Sequence, residues 1–447
     1  MKSCCMEERT LALEVFCRRY RNKVKDSELN LKNIPEGDTF TYILYLVSNI
    51  SAPCAFGDGR PLGGGWGIWG FHFGGDCGII GVPENRKVVS FMNMERLKRV
   101  TGRMREAGLG QILVTATTSL YYLTGYWVEP HERMIALWLT DEGKAVLFGN
   151  EIFGLASTEE LPFVSHKDGE DPVAALAAAV KPGLLGIDKF WYSKFLIGLM
   201  GHRPDVVPVH GSMPVDENRQ FKDHRERAAM RHASAMNDQV MAAAIAAVGE
   251  GVRENELAAL VNREYLARGA DCEGTQLVCF GPNGADPHHS GDGTLLKAGD
   301  SVIFDIFTPI SRYWCDMTRT VFYKTVSDRQ RQVYELVKRA NEAAEAAVRP
   351  GVPLARLDAI AREIITDGGF GPFFTHRLGH GCGIDCHEPP DVSGASDAVC
   401  RPGMVFSIEP GIYLPGEFGV RIEDLVMVTE DGCEVLNKFP KDLMVVG

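Results

Sequence analysis

The stretch VIFDIFTPISRYWCDMTRTVF, residues 302–322, sets two aspartates, Asp305 and Asp316, symmetrically about a turn signal and among apolar and β-branched residues. Such a run reads as a β-hairpin. The midpoint of the two aspartates falls at Ile310 and Ser311, beside Thr308 and Pro309, so a hairpin closed there puts the carboxylates opposite each other. Directly opposed positions hold their Cβ atoms about 4.5–5.5 Å apart, and like charges at that separation are destabilising unless something neutralises them. A second run, MVFSIEPGIYLPGEFGVRIEDLVMV at 404–428, repeats the construction, with Glu409 and Glu423 flanking Gly416 and Pro415 before it. One such pair alone reads as the solvated edge of a hairpin. Two pairs read as a site for a pair of divalent metals, which sit about 3.5–4 Å apart in dinuclear centres.

The third element is THRLGHGCGIDCHEPP, residues 375–390, with histidines at 376, 380 and 387. Its glycines at 379, 381 and 383 let the backbone approach a ligand closely. An isolated histidine is more often structural than a ligand, but one clustered among glycines beside two acidic pairs is a ligand candidate. Asp305, Asp316, His380, Glu409 and Glu423 then form the expected ligand set. Its four carboxylates balance the charge of two divalent ions, whereas the empty cluster repels itself. Oxygen-rich coordination with one imidazole suits Mn²⁺ first, with Co²⁺, Fe²⁺ and Zn²⁺ open. Cys382 and Cys386 are a rival ligand pair, but no second cysteine pair at zinc-site spacing accompanies them, so they read as packing residues or incidental thiols.

These motifs, with GPNGADPHH at 281–289, GDSVIFD followed by CDMTRT, PGMVFSIEPGIY and GVRIEDLVMVTEDG, resemble the pita-bread metallopeptidase family, in particular its Xaa-Pro dipeptidase (prolidase) and Xaa-Pro aminopeptidase branch. The resemblance covers residues 218–447 in the family's order. It implies an α+β fold with a C-terminal pita-bread catalytic domain, two metals per chain, and hydrolysis of the peptide bond before proline. It makes Asp305 a terminal ligand of one metal, assigns His380 and Glu409 to the other, and makes Asp316 and Glu423 the bridges. Glu409 also resembles the family's general base, and His288 and His387 its histidines that donate hydrogen bonds to the substrate carbonyl and the tetrahedral intermediate. His376 would line the substrate pocket, and Arg421 is placed to orient a carboxylate there, so both are expected on the substrate side.

Upstream, from Met94 to about Asp216, helical and strand-like runs alternate. MERLKRVTGRMREAGL reads as an amphipathic helix ending near Gly108, QILVTA as a strand, and MIALWLT and KAVLFG as two more about the turn at 141–143. DPVAALAAAVKPG reads as a helix and LLGID as a buried strand. This α/β segment resembles the family's creatinase-like N-terminal domain, which caps the active site and helps dimerise, so a homodimer is expected. In the catalytic half, helices are expected over 221–249 and up to Gly269, and Ser327 with Gln330 makes a capping box for a helix ended by Pro350 and Gly351. They should cover the outer face of a sheet formed by runs near 275–280, 301–322 and 404–429, whose inner face carries the ligands.

Residues 1–91 fit neither domain. They hold five of the twelve cysteines, a Gly- and Trp-rich run at 57–81, and an apolar stretch, FTYILYLV, too short to span a bilayer and too far in to be a signal peptide. They read as an upstream extension without a clear fold, either a mis-assigned start or a disordered or partner-binding arm. The domain plan is therefore 1–91 extension, 92–216 creatinase-like domain and 217–447 catalytic domain. A length of 447 residues is ample for two domains. The net charge of −12 argues against a nucleic-acid partner. Scattered cysteines and the lack of a membrane or secretion segment point to a cytoplasmic enzyme. Small proline-containing peptides are the expected substrates. The other readings are a creatinase-like amidinohydrolase or lyase on the same fold, and a binding protein on a dead peptidase scaffold, which usually has lost a ligand.

Overall fold

Ser311 and Arg312 take φ of 52° and 70°. Two consecutive positive values are what a two-residue type I′ turn requires, and they close the hairpin of β8 (Ser301–Ile310) and β9 (Tyr313–Tyr323) in the computed structural model, which describes residues 92–447. Ile310 pairs with Tyr313, so Asp305 lies opposite Thr318 and Asp316 opposite Phe307. The expected head-on aspartate pair is therefore not formed. Thr308 and Pro309, read as turn residues, lie inside β8, and the true turn shifts the pairing by two residues. Because strand side chains alternate with period two, the shift leaves both aspartates on one face as diagonal neighbours. Glu409 and Glu423 keep the symmetry read in the sequence: β12 (Val405–Ile408) pairs with β15 (Asp424–Val428) as Ile408 with Asp424, and β13 (Gly411–Leu414) with β14 (Phe418–Arg421) as Gly411 with Arg421. At the two glutamates the ladder breaks, the Glu409 N–H donating to Leu378 O at 2.8 Å and the Glu423 N–H to Thr318 O at 3.1 Å. That break ties one acidic hairpin to the other.

The N-terminal part begins with α1 (Met94–Glu106), capped by the Asn93 side chain. A six-stranded mixed sheet follows, in the order β4-β3-β2-β1-β5-β6. Its members are β1 (Gln111–Val114), β2 (Ile135–Thr140), β3 (Ala145–Asn150), β4 (Phe163–His166), β5 (Gly183–Ile187) and β6 (Val206–His210). Helices α2 (Thr117–Thr124), α3 (Ala174–Ala179) and α4 (Ser193–His202) connect them, and α5 (Met213–Arg219) leads out. The strands β1, β2, β3 and β5 and the helix α3 were legible; the edge strands β4 and β6, with much of their surface exposed, were not.

In the catalytic part, α6 (His224–Ala246) starts at a capping box of Asp223 and Glu226, and α7 (Glu254–Ala267) packs beside it. Val240, Met241, Ala244, Val261 and Tyr265 of these helices bury against Val302, Phe304 and Ile306 of β8. β8 and β9 belong to a four-stranded sheet, β17-β9-β8-β7, with β7 at Leu277–Phe280 and β17 at Val445–Val446. A second pair of helices, α8 (Asp328–Ala347) and α9 (Leu354–Asp367), covers the other hairpin, Val333, Val337, Leu357 and Ala361 packing against Phe406, Ile408, Val420 and Val426. That hairpin joins β10 (Gly379–Gly381), β11 (Glu388–Val392) and β16 (Cys433–Val435) in a sheet ordered β11-β10-β12-β15-β16. The Ser327–Gln330 capping box is present at the start of α8. Helices thus cover the outer faces of both sheets, and the inner faces meet over the acidic residues. The readings made of residues 1–91 lie outside the described residues.

Candidate active site

Asp316 from β9, His380 from β10 and Glu423 from the break before β15 reach one point: their donor atoms all lie within 4.8 Å of one another, and all three residues are buried. Glu409 Oε1 approaches His380 Nε2 at 3.4 Å, and Asp316 Oδ2 lies 3.8 Å from the same nitrogen. Asp305 completes the acidic group at its edge, where Arg421 Nη2 donates to Asp305 Oδ2 at 2.7 Å. A cavity of about 600 Å³ opens on these five residues and is also lined by His288, His376, His387 and Arg421. Every side chain singled out in the sequence for a site therefore faces one space.

The imidazole of His380 is set up as a donor of electrons. Its Nδ1 lies 3.1 Å from the Gly381 carbonyl, which accepts a hydrogen bond from Nδ1–H and so leaves the Nε2 lone pair toward the carboxylates. Burial pushes its pKa down to about 4, so the ring is neutral near pH 7. The carboxylates move the opposite way. Burial, then repulsion from Asp305 and Glu409, holds Asp316 well above the ordinary carboxylate range. Burial and the Asp316 charge do the same to Glu423, and burial raises Glu409. Arg421 is the cation that touches this group, and it is 4% exposed. One oxygen of Asp305 and one of Asp316 are buried with no hydrogen-bond partner. Unmatched negative charge, oxygens without donors and a neutral imidazole with a free lone pair make a donor set that fits hard or borderline divalent cations.

Around this set the supporting contacts are specific. Thr318 Oγ1 donates to Glu423 Oε2 at 2.7 Å, and Ser407 Oγ to Glu409 Oε1 at 3.1 Å. His376 Nδ1 faces the Arg377 carbonyl at 2.7 Å, so its Nε2 accepts from the Tyr413 hydroxyl at 2.8 Å; Tyr413 in turn accepts from Arg421 Nη1 at 2.9 Å. Burial lowers the His376 pKa, in keeping with this neutral tautomer. Arg421, expected on the substrate side, spends its guanidinium on Asp305, Thr318, Tyr413 and the Pro287 carbonyl. The carboxylate it orients is thus a residue of the cluster itself. His387 and His288 are exposed toward the cavity, and the His387 ring centroid stands 4.1 Å from that of His380.

Thr318, Ser407 and Tyr413 were missed in the sequence. Parity offered the signal: Ser407, Glu409 and Tyr413 share one alternation, as do Asp316 and Thr318, so residues two or four positions from an acidic candidate face the same side. Cys382 is buried, but Cys386 is more than incidental packing, since its Sγ lies 3.5 Å from Asp316 Oδ2. A second acidic cluster, Glu254 with His289 and Asp292, has a different character. Glu254 accepts from Phe280 N, Asn283 Nδ2 and Asp292 N at 2.6, 3.0 and 3.0 Å and meets His289 Nε2 at 3.0 Å, so its oxygens are already satisfied by the protein.

Comparison with known proteins agrees with this geometry. Residues 228–430 match the family described as "Metallopeptidase family M24", and residues 96–217 match "Creatinase/Prolidase N-terminal domain". The putative dipeptidase YkvY of Bacillus subtilis (strain 168) is 35% identical over 364 residues, covering 79% of this chain and 100% of the relative. Among solved structures, a prolidase from Thermococcus sibiricus is 33% identical with a TM-score of 0.75, the match covering 80% of this chain and 100% of that one. A dipeptidase from Pyrococcus horikoshii OT3 is 32% identical with a TM-score of 0.74, covering 78% and 100%. The chain therefore belongs to metallopeptidase family M24, carries a creatinase/prolidase-type N-terminal domain before the catalytic one, and is a peptidase.

Proposed function

We propose that this peptidase is an Xaa-Pro dipeptidase that works with two divalent metal ions per chain, Mn²⁺ first among them, held by Asp305, Asp316, His380, Glu409 and Glu423. Membership of the family implies divalent metal; the number, identity and ligand roles are our reading. The observation that carries it is the convergence of Asp316, His380 and Glu423 within 4.8 Å, with unpartnered aspartate oxygens beside them. When bound, the ions would supply Lewis acidity toward the scissile carbonyl and an acidified water.

The chain's own residues do the remaining work. Glu409, which touches both the cluster and the open cavity, takes the proton from the attacking water and returns it to the leaving imide nitrogen of proline. His387 and His288 donate to the substrate carbonyl oxygen as negative charge develops on it. Partial desolvation at the cavity wall, with His380 adding to the effect, pushes His387 down to about 4, so it is a neutral donor near pH 7. His376, fixed by Tyr413, lines the pocket for the substrate, and Arg421 keeps Asp305 in place. A cavity of about 600 Å³ lies within the range of small-ligand sites and suits a dipeptide. The printed names of the relatives above, a putative dipeptidase, a dipeptidase and a prolidase, also support this branch. The plan of a creatinase-like domain at 92–216 and a catalytic domain at 217–447, a homodimer, and a cytoplasmic setting belong to the same reading. No helix among the described residues is long and apolar enough to cross a membrane.

The test is hydrolysis of Ala-Pro and Gly-Pro against an Ala-Pro-Yaa tripeptide after chelation and addition of Mn²⁺ or Co²⁺. Cleavage of the dipeptides with the tripeptide left intact is expected. Preference for the tripeptide would make the chain an Xaa-Pro aminopeptidase, and cleavage of neither would end the Xaa-Pro reading.

A further inference from the structure

A second group of buried charges stands at the base of the loop that carries His387. Arg219, the last residue of α5, is 2% exposed, and its Nη2 donates to Asp385 Oδ2 at 2.9 Å and Glu388 Oε2 at 2.6 Å. Lys222 Nζ, also buried, donates to Glu388 Oε1 at 2.6 Å. Each oxygen of Glu388 thus has its own cation, and the carboxylate cannot rotate without breaking one bond. Arg219 Nη1 meets the hydroxyls of Thr118 and Ser119 on α2 at 3.2 and 3.4 Å, and Thr118 Oγ1 donates to Asp385 Oδ2 at 3.1 Å. The two cations come from the segment joining the two halves of the molecule, while the two anions flank Cys386 and His387.

Glu388 pairs across the β10–β11 ladder with Gly381, and the register shifts between His380 and Gly381. The loop is packed onto this clamp: a Cβ at Gly383 would lie 2.4 Å from Glu388 Oε1 and 3.0 Å from Lys222 Cε. His380 and His387, on the two arms, face each other with ring centroids 4.1 Å apart. A buried ion pair is no stronger a source of stability than apolar packing of the same volume. What it offers is direction, and misplacement by 1 Å near a reacting group costs on the order of 10² in rate.

We propose that Arg219 and Lys222 are positioning residues that hold Glu388 and thereby set His387 against His380, a role that rests on the reading of His387 as the group facing the substrate carbonyl. Neither cation touches substrate. Removing the hold on one oxygen of Glu388 lets the loop 382–387 move while the ligand cluster stays in place.

The test compares Lys222→Met, Glu388→Gln and the double variant in the full-length, metal-loaded protein. Each single change unbalances the four charges, by −1 and +1, whereas the double variant leaves Arg219 with Asp385 and restores neutrality. Its melting temperature should therefore exceed that of both single variants. We expect kcat on Ala-Pro to fall roughly 10- to 100-fold in all three, with KM nearly unchanged and metal content by elemental analysis the same as wild type. Recovery of kcat along with melting temperature in the double variant would show a purely structural role and overturn the proposal, as would wild-type kcat in a folded single variant. Amide hydrogen exchange over 381–388 gives a readout independent of catalysis: faster exchange in all three is expected, and wild-type protection overturns the clamp. If the wild type itself cleaves no Xaa-Pro peptide, the functional reading fails and the exchange result still decides whether the clamp orders the loop.

Discussion

Asp316 and Glu388 are both buried carboxylates that serve the same loop region, one 3% and the other 7% exposed, yet they titrate in opposite directions. Around Asp316, burial and the charges of Asp305 and Glu409 raise the carboxyl well above its ordinary range. At Glu388 burial also pushes up, but Lys222 and Arg219 outweigh it and hold the carboxyl below that range. The difference is one of balance: in the first cluster four carboxylates gather where Arg421 pairs with Asp305 alone, and in the second two cations meet two anions. Folding has finished with the balanced cluster. The unbalanced one leaves buried carboxylate oxygens without partners, which marks it as the place where charge from outside the chain fits.

The comparison is broken most directly at Glu409. Glu409→Gln keeps an oxygen at the cluster, removes one negative charge and abolishes the proposed proton carrier. We expect kcat to fall at least about 10²-fold with metal still bound. Near wild-type turnover in a metal-loaded variant would reassign the base to another group. Removing the external charge acts on the whole cluster at once: EDTA treatment should abolish turnover and lower the melting temperature, and Mn²⁺ should restore both. Full turnover of a protein shown by elemental analysis to be free of metal would sink the mechanism.

The titration of the two clusters sharpens this. Asp316, Glu409 and Glu423 have raised values in the folded, metal-free protein. Their contribution to stability is complete below the ordinary carboxylate pKa of about 4 and is lost as pH climbs through the raised folded values. His380 and His387, pushed down to about 4, contribute in the other sense. That contribution is present above about 6.5 and is lost as pH falls toward the folded value. The carboxylate part is lost as pH rises through those raised values, so the gap in melting temperature between Mn²⁺-loaded and EDTA-treated protein should widen across that rise. Each unit of pKa difference is worth about 1.4 kcal/mol. A gap that narrows over the same rise would mean that the cluster is already ionised and matched by the protein.

The unbalanced cluster was legible in the sequence and the balanced one was not, for a physical reason. Ligands to a metal pair come from strands whose alternation and turns leave a pattern, so Glu409 and Glu423 about Gly416 were placed correctly. Asp305 and Asp316 were placed on the right face but in the wrong register, because Ser311-Arg312 lacks the Asn-Gly or Asp-Gly chemistry that announces a type I′ turn, while Pro309 inside β8 imitates one. Helix α9 was not legible although Leu354, Leu357, Ala361 and Ile365 recur at helical spacing, because it starts directly after the Pro350-Gly351 stop of α8 and has no side-chain cap of its own. The clamp has no local signal at all: Arg219 and Glu388 are separated by 169 positions, and only the fold brings them together.

The smallest effect is expected at the rim of the balanced cluster. Asp385 carries the same charge as Glu388 and shares Arg219, but its side chain is 22% exposed where that of Glu388 is 2% exposed. Water screens it and can replace part of what Arg219 gives, so its pairing belongs nearer the exposed class worth about 0–1 kcal/mol. Asp385→Asn also keeps an oxygen that accepts from both Thr118 Oγ1 and Arg219 Nη2. It should therefore lower stability by no more than about 1 kcal/mol in a denaturant titration, and leave kcat on Ala-Pro nearly unchanged. A loss as large as that of Glu388→Gln would show that the clamp acts through total charge rather than through the two fixed oxygens of Glu388, and the distinction drawn between its rim and its centre would fall.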